Sequence, residues 1–382
     1  MKILHTADLH LGRQFNGISL DEDHGVILDR IVAVLVSSRA DVLVIAGDVF
    51  DRAAPPASAV ALFNAFLSRV ARESAAAVVT IAGNHDSGER IAAMAVMADT
   101  RRALIRGDVS AQEMPLVLND AHGPVAFSAL PFAYEYAARE AFGDETLNTP
   151  QDVLAAQVGA ARGQVPPGAR WVVVAHAFVA GALGSEGERP LARVGGIETV
   201  SPDIFDGAQY VALGHLHRPQ CAGAPHIRYS GSPLAFGFDE AGGEKSMSLV
   251  DLDADGGVTV EEIPFVPPRA VRVLHGLHAD LLKGEPSGDF VKAVLSDTDP
   301  VIDAMKRLRA VHPHACEMSY TRDERAPETK AMTTAAPEMR AASPLDVASG
   351  FLEQMRGTPP TGAEHDILVT ALDDIRHGED AA

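Results

Sequence analysis

Short apolar runs without polar alternation recur along the first 217 positions: Ile3-Leu4, Val42 to Ala46, Ala77 to Ala82, Trp171 to Ala175 and Tyr210 to Leu213. Such runs predict strands buried on both faces, as in a sheet covered by helices. Asp21 to Ser38 is periodic in Val26, Ile27, Ile31, Val34 and Leu35, which predicts a helix packed on that sheet. Pro55-Pro56 opens a second helix through Ala59 to Arg72, with proline tolerated in the first turn. Val125 to Leu130 reads as a further strand, closed by Pro131.

The pattern changes beyond residue 240. Ser246 to Leu252 and Val258 to Val266 predict a hairpin turned at Asp253 to Gly257, and Pro267-Pro268 marks a boundary. From Val271 to about Tyr320, two strand-like stretches and a helix near Ile302 to Arg309 predict a small α/β module. The Ala-, Glu-, Thr- and Pro-rich segment 321–342 has no apolar period and reads as a linker. Leu345, Phe351, Leu352 and Met355, then Leu368, Val369, Leu372 and Ile375, predict two short amphipathic helices around Gly357 to Pro360. The expected segments are therefore 1–267, 268–320, 321–342 and 343–382. The two helices can dock on the protein's own surface or on a partner.

Composition adds bounds. With 382 residues, 47% of them hydrophobic and 22% charged, the chain can bury a substantial core and exceeds one ordinary domain. No stretch approaches the ~20 apolar residues of a membrane span, and the start lacks a signal-type apolar region. The two cysteines form no CxxC pattern. A soluble cytoplasmic protein without membrane contact is expected. The net charge of −20 argues against a generally adhesive nucleic-acid binder. A carboxylate-rich site that collects divalent cations can still present a locally positive surface to phosphate.

Each of the five apolar runs ends in residues of metal-ligand type: Asp8-x-His10, Asp48, Asn84-His85, His176 and His215-x-His217. A carboxylate such as Asp48, held beside a dry core, is costly unless a cation or partner satisfies it. Taken alone, Asp48 reads equally well as a helix cap; the fivefold recurrence favours a ligand. Residues i and i+2 of an extended segment sit on one face roughly 6.5 to 7 Å apart. His215 and His217 at that spacing can grip two ions roughly 3.5 to 4 Å apart, with Asp48 as the bridge. Asn84 supplies a neutral oxygen ligand, and His85 an acid that need not be coordinated. The carboxylate–imidazole mixture suits Mn²⁺, Fe²⁺ or Zn²⁺ better than Ca²⁺. A two-metal phosphoryl-transfer centre is expected.

The ordered set D-x-H, G-D-x-x-D, G-N-H-D, a strand-terminal His and G-H-x-H over residues 8 to 217 resembles the calcineurin-like metallophosphoesterase superfamily. Within it, I-L-H-T-A-D-L-H-L-G-R, A-G-D-V-F-D, Y-V-A-L-G-H-L-H-R and Y-S-G-S-P-L are similar to the SbcD family of exonuclease subunits. The resemblance implies an α/β sandwich of two sheets flanked by helices, then a small α/β DNA-capping domain and a helical tail. It implies one metal at Asp8, His10, Asp48 and His217, and another at Asp48, Asn84, His176 and His215, with Mn²⁺ favoured. His85 would be the uncoordinated histidine that stabilises the transition state or protonates the leaving oxygen. Asp51 would be the carboxylate orienting it. The implied activity is ATP-dependent 3′–5′ exonuclease action on duplex DNA and endonuclease action on single strands and hairpins, in DNA repair, replication and recombination. The implied partners are DNA and an SbcC-like ATPase, with the chain a homodimer within a heterotetramer.

Two other functions compete: a metal-dependent phosphatase or small-molecule phosphodiesterase on the same core, and a scaffold with a relict site. The extra segments after Gly257 argue against the first, and the filled ligand positions against the second.

Overall fold

The computed structural model describes all residues except 97, 186–187, 189–191, 194–195, 198, 322–342, 357 and 380–382. The first of its two compact units, Met1–Tyr320, is built on two six-stranded sheets. In order, the first sheet runs Val258–Pro264, Ser246–Leu252, Lys2–Thr6, Val42–Ile45, Ala77–Ile81 and Ala103–Arg106. The second runs Gln220–Ala222, Ala224–Tyr229, Tyr210–Gly214, Arg170–His176, Gly123–Leu130 and Leu116–Asp120. The strands that end in the candidate ligands are mutually parallel within each sheet, with Ile3 opposite Val42, Val42 opposite Ala77 and Gly214 opposite His176.

The unbroken apolar runs have a simple origin. Val42 and Val44 face the second sheet, in one cluster with Phe127, Val172, Val174 and Tyr210. Leu43 and Ile45 face the opposite way, against Ile27, Ile31, Phe63 and Phe66 of the helices Asp21–Ser38 and Ala57–Glu73. Both faces of the strand are therefore dry, and every residue from Val42 to Ile45 is fully buried. Each such side chain contributes roughly 1.5 to 3 kcal/mol of burial free energy, so a polar residue anywhere in the run would be strongly destabilising. The helix Pro150–Arg162 covers the far face of the second sheet, where Leu154 and Val158 pack with Trp171, Val173, Val211 and Leu213. The molecule is thus a sandwich of two sheets flanked by helices.

The hairpin Ser246–Leu252 and Val258–Pro264 pairs antiparallel and joins the first sheet beside Lys2–Thr6. After Pro268 the chain forms a parallel three-stranded sheet of Val271–Gly276, Phe290–Leu295 and Ala315–Tyr320. Its core sets Val291, Ala293 and Leu295 against Leu308 of the helix Ala304–Val311. This small sheet is anchored to the sandwich. Phe290 stacks on Phe15 at 4.7 Å, and Arg269 bonds the buried Asp23 carboxylate through Nε at 3.1 Å.

The second unit contains the helices Pro344–Arg356 and Gly362–Glu379. Each starts from a reciprocal cap: Ser343 with Asp346, and Thr361 with Glu364. Leu345 and Leu352 are half-buried, and Ile367 is exposed. The Phe351, Met355 and Ile375 side chains, and residues 322–342 of the expected linker, lie outside the described set. Among the described residues, no helix is long and apolar enough to cross a membrane.

Candidate metal centre

The candidate residues sit on loops just past the strand ends, except His176, which is the last residue of the strand Arg170–His176. Lys2–Thr6 stops before Asp8, and Tyr210–Gly214 stops before His215. Asp8, His10 and Asp48 take left-handed backbone angles of φ 53°, 46° and 48°, and His215 takes φ 104°. The extended geometry expected for His215-x-His217 is therefore wrong, and the chain bends in the same way where Asp8 and His10 enter the site. Left-handed angles are strained for residues with a Cβ. Here pairing between the loops holds them: Gly47, Asp48 and Val49 carbonyls accept from the Asp8, His10 and Leu11 amides, each at 3.0 Å.

Glycine is required where these loops touch. A Cβ on Gly83 would lie 2.2 Å from Asp48 Oδ1, and one on Gly214 2.0 Å from the Ala46 carbonyl. The absence of side chains at these two positions lets loops from both sheets close on one point.

All seven proposed ligands belong to this convergence. Asp48 Oδ2 lies 3.4 Å from His176 Nε2 and 3.7 Å from His10 Nε2, so one oxygen faces an imidazole of each proposed set. Its Oδ1 accepts the His85 amide at 2.8 Å. Asn84 Oδ1 lies 2.9 Å from His176 Nε2 and 3.1 Å from His215 Nδ1. Asp8 accepts the His215 amide at 3.0 and 3.2 Å on its two oxygens. His10 and His217 meet edge to face at 5.2 Å between ring centres. Donor atoms of Asp8, Asp48 and His176 lie within 4.8 Å of one another, as do those of His10, Asp51 and His85.

The electrostatics fit divalent cations. Burial, with Asp48 adding to it, raises the Asp8 carboxyl to about 7. Burial also lowers His10 and His215 to about 3, so both are neutral, as ligands must be. Both ring nitrogens of His10 are buried and have no hydrogen-bond partner among the described residues. Leaving such groups unmet costs about 1 to 3 kcal/mol each. A cation among these donors would satisfy the imidazole and permit both carboxylates to ionise.

The supporting groups were less visible in the sequence. The Asp51 carboxylate Oδ1 bonds Arg13 at 3.0 Å and faces His10 Nδ1 at 3.6 Å, and it lies within 4.8 Å of a His85 ring nitrogen. The backbone carbonyl of Asp51 bonds His85 Nδ1 at 2.9 Å. Asp86 knits the G-D and G-N-H-D loops together by accepting the amides of Val49, Phe50 and Gly83. Glu188 Oε1 accepts the His217 amide at 2.6 Å. Glu240 Oε1 stands 3.4 Å from His217 Nδ1, and its other oxygen pairs with buried Lys245. No spacing rule connects Glu188, Glu240 or Lys245 to the ligands, since folding alone brings them there.

Residues 1–219 match the family model described as Calcineurin-like phosphoesterase. Residues 267–356 match a second, the SbcD C-terminal model, described as Type 5 capsule protein repressor C-terminal domain. Among solved structures, TT1561 of Thermus thermophilus is 14% identical with a TM-score of 0.39, over 68% of this chain and 98% of its own. GAP50, the anchor in the inner membrane complex of Plasmodium, is 10% identical with a TM-score of 0.43, over 84% of this chain and 96% of its own. Likeness at this level carries no functional argument.

Proposed function

Because this chain belongs to the calcineurin-like phosphoesterase family, we propose that it is an SbcD-type DNA nuclease that hydrolyses phosphodiester bonds with two divalent ions. The observation that carries the two-ion reading is Asp48 Oδ2, poised between His10 Nε2 and His176 Nε2. The reading as a nuclease rather than a phosphatase is supported by the second match, over residues 267–356.

In this reading Asp8, His10, Asp48 and His217 hold one ion, and Asp48, Asn84, His176 and His215 the other. The mixed nitrogen and oxygen donors favour Mn²⁺ over Mg²⁺. Two ions held there would supply polarisation of the phosphodiester and acidification of a water. His176 donates Nδ1–H to the Ala46 carbonyl at 2.9 Å, which turns Nε2 toward Asp48 and Asn84. His85 donates Nδ1–H to the Asp51 carbonyl, so Nε2 is the nitrogen that exchanges a proton with a substrate oxygen. The tail helices, each with its own cap, are assigned to docking on an SbcC-like ATPase, in an assembly containing two copies of this chain.

The test is a cleavage assay of end-labelled linear and hairpin DNA in Mn²⁺, Mg²⁺ or EDTA, with a phosphomonoester in parallel. Mn²⁺-dependent DNA cleavage without comparable monoesterase activity is expected. Robust monoester hydrolysis with intact DNA would make the chain a phosphatase.

A further inference from the structure

We propose that Phe132, Tyr134 and Tyr136 form a stacking platform that receives an unpaired nucleobase of the strand being cut. This deepens the nuclease reading above and rests on it. The row of rings starts at the candidate centre. The strand Gly123–Leu130 runs parallel to Arg170–His176 with Leu130 opposite Ala175, so the chain leaves the sheet beside His176. The Phe132 ring stands nearly perpendicular to the His176 ring, 6.4 Å away between centres. Its amide donates to the Ala82 carbonyl at 2.9 Å. Phe132 is thereby tied to the two segments that carry Asn84 and His176.

From there the rings step into solvent. Tyr134 meets Phe132 edge to face at 5.0 Å, and Tyr136 stacks on Tyr134 at 5.8 Å with 10° between the planes. Exposure rises along the row: Phe132 is half-buried, Tyr134 is 47% exposed and Tyr136 66% exposed. The chain's other three tyrosines are used inside the protein. The hydroxyls of Tyr210, Tyr229 and Tyr320 are hydrogen-bonded to His5, Ala177 and Val301. Only this adjacent pair holds aromatic faces in water, and single apolar residues scattered over a surface need no such explanation.

Two features select a base as the occupant. The row is continuous with the candidate centre, so a strand whose phosphate reaches the centre brings its bases past these rings. The row also lacks the means to grip a phosphate. Arg139, the basic residue of the helix Glu135–Phe142, bonds Asn148 Oδ1 at 3.0 Å and faces Glu145 at 3.9 Å. Glu135 and Glu140 on the same helix repel anions. A neutral base has a π-face that stacks on tyrosine whatever the sequence, worth about 5- to 150-fold in affinity per base. Stacking neutralises no phosphate, so it adds nothing to the salt dependence of binding. That separates it from every cationic contact.

The experiment measures anisotropy of a labelled, cleavage-resistant phosphorothioate oligothymidylate on the full-length chain in Mn²⁺, at several salt concentrations. Tyr134→Ala with Tyr136→Ala should weaken binding about 5- to 150-fold. The slope of affinity against salt, the Mn²⁺ content and the melting temperature should stay at wild type. Tyr134→Phe with Tyr136→Phe should bind as wild type, since the rings remain. A single abasic position walked along the oligonucleotide should weaken wild-type binding at one place and have no further effect there on the alanine pair. Wild-type affinity in the alanine pair, or an abasic penalty equal in both proteins, would overturn the proposal. So would loss of co-purification with an SbcC-like ATPase while oligothymidylate affinity is intact, which would make the row a protein contact. A wild-type chain that binds no oligothymidylate but hydrolyses a phosphomonoester would overturn the nuclease reading itself.

Discussion

The backbone carbonyl of Asp51 bonds His85 Nδ1 at 2.9 Å. A main-chain acceptor fixes the ring whatever side chain residue 51 carries. Replacing the Asp51 side chain therefore should not release His85, and the two residues separate cleanly by mutation. His85→Ala is expected to cut turnover about a hundredfold or more while leaving Mn²⁺ content and DNA affinity near wild type. Asp51→Asn should instead weaken metal binding, through His10. Elemental analysis and equilibrium DNA binding on both variants check this; metal loss in His85→Ala would make that residue a ligand.

Gly83 offers a test through packing alone. An alanine there would put its Cβ within 2.2 Å of Asp48 Oδ1 and 2.4 Å of the Asp48 amide nitrogen. Neither is the far end of a flexible side chain, so the loops must separate. Gly83→Ala is expected to lose bound metal and activity together, and to melt lower by an amount typical of overpacking, about 1 to 3 kcal/mol. Wild-type Mn²⁺ stoichiometry in a folded Gly83→Ala protein would show that the loops do not close this tightly.

Glu113 gives a pH dependence that involves none of the proposed ligands. It is 2% exposed and accepts the Ser110 amide at 3.3 Å. Burial raises its carboxyl from 4.5 to about 7. Between those values the folded state binds more protons than the unfolded one, so stability falls as pH rises through this window. Glu113→Gln, which keeps the accepting oxygen, should be near neutral at pH 5 and stabilising at pH 8, by up to about 3 kcal/mol. Thermal melts of the two proteins at both pH values check the sign; equal differences would place the Glu113 carboxylate in water.

The tail separates docking from self-packing. Deleting Ser343 to Ala382 is expected to spare Mn²⁺-dependent cleavage of single-stranded DNA. Co-purification with an SbcC-like ATPase, and any ATP-stimulated cutting of duplex ends, should be lost. Pull-down and melting of one truncated protein suffice. A truncation that still binds the ATPase would dismiss the docking role, and one that melts markedly lower would mean the helices brace the body.

Val42 to Ile45 shows why so much of the sandwich was legible: a strand dry on both faces tolerates no polar residue, and the run announces itself. The ligand types were legible for a related reason, since a polar residue at the end of such a run has to be satisfied. The angles at Asp8, His10 and His215 were not, because residue type alone does not fix the sign of φ outside glycine. Glu240 was illegible as a neighbour of His217. They lie 23 positions apart, and only the return of the chain between the strands Tyr210–Gly214 and Ser246–Leu252 brings them together.

That return has a consequence for biosynthesis. Lys2 pairs with Asp251, so the first strand completes its sheet only against one made near the end of the sandwich. At about 5 to 20 residues per second, the ribosome needs on the order of ten seconds or more to span that interval. His217 is the last of the seven proposed ligands to be made, so no N-terminal fragment shorter than 217 residues contains them all. A nascent chain shorter than that cannot assemble the two proposed ion sites while it is still on the ribosome.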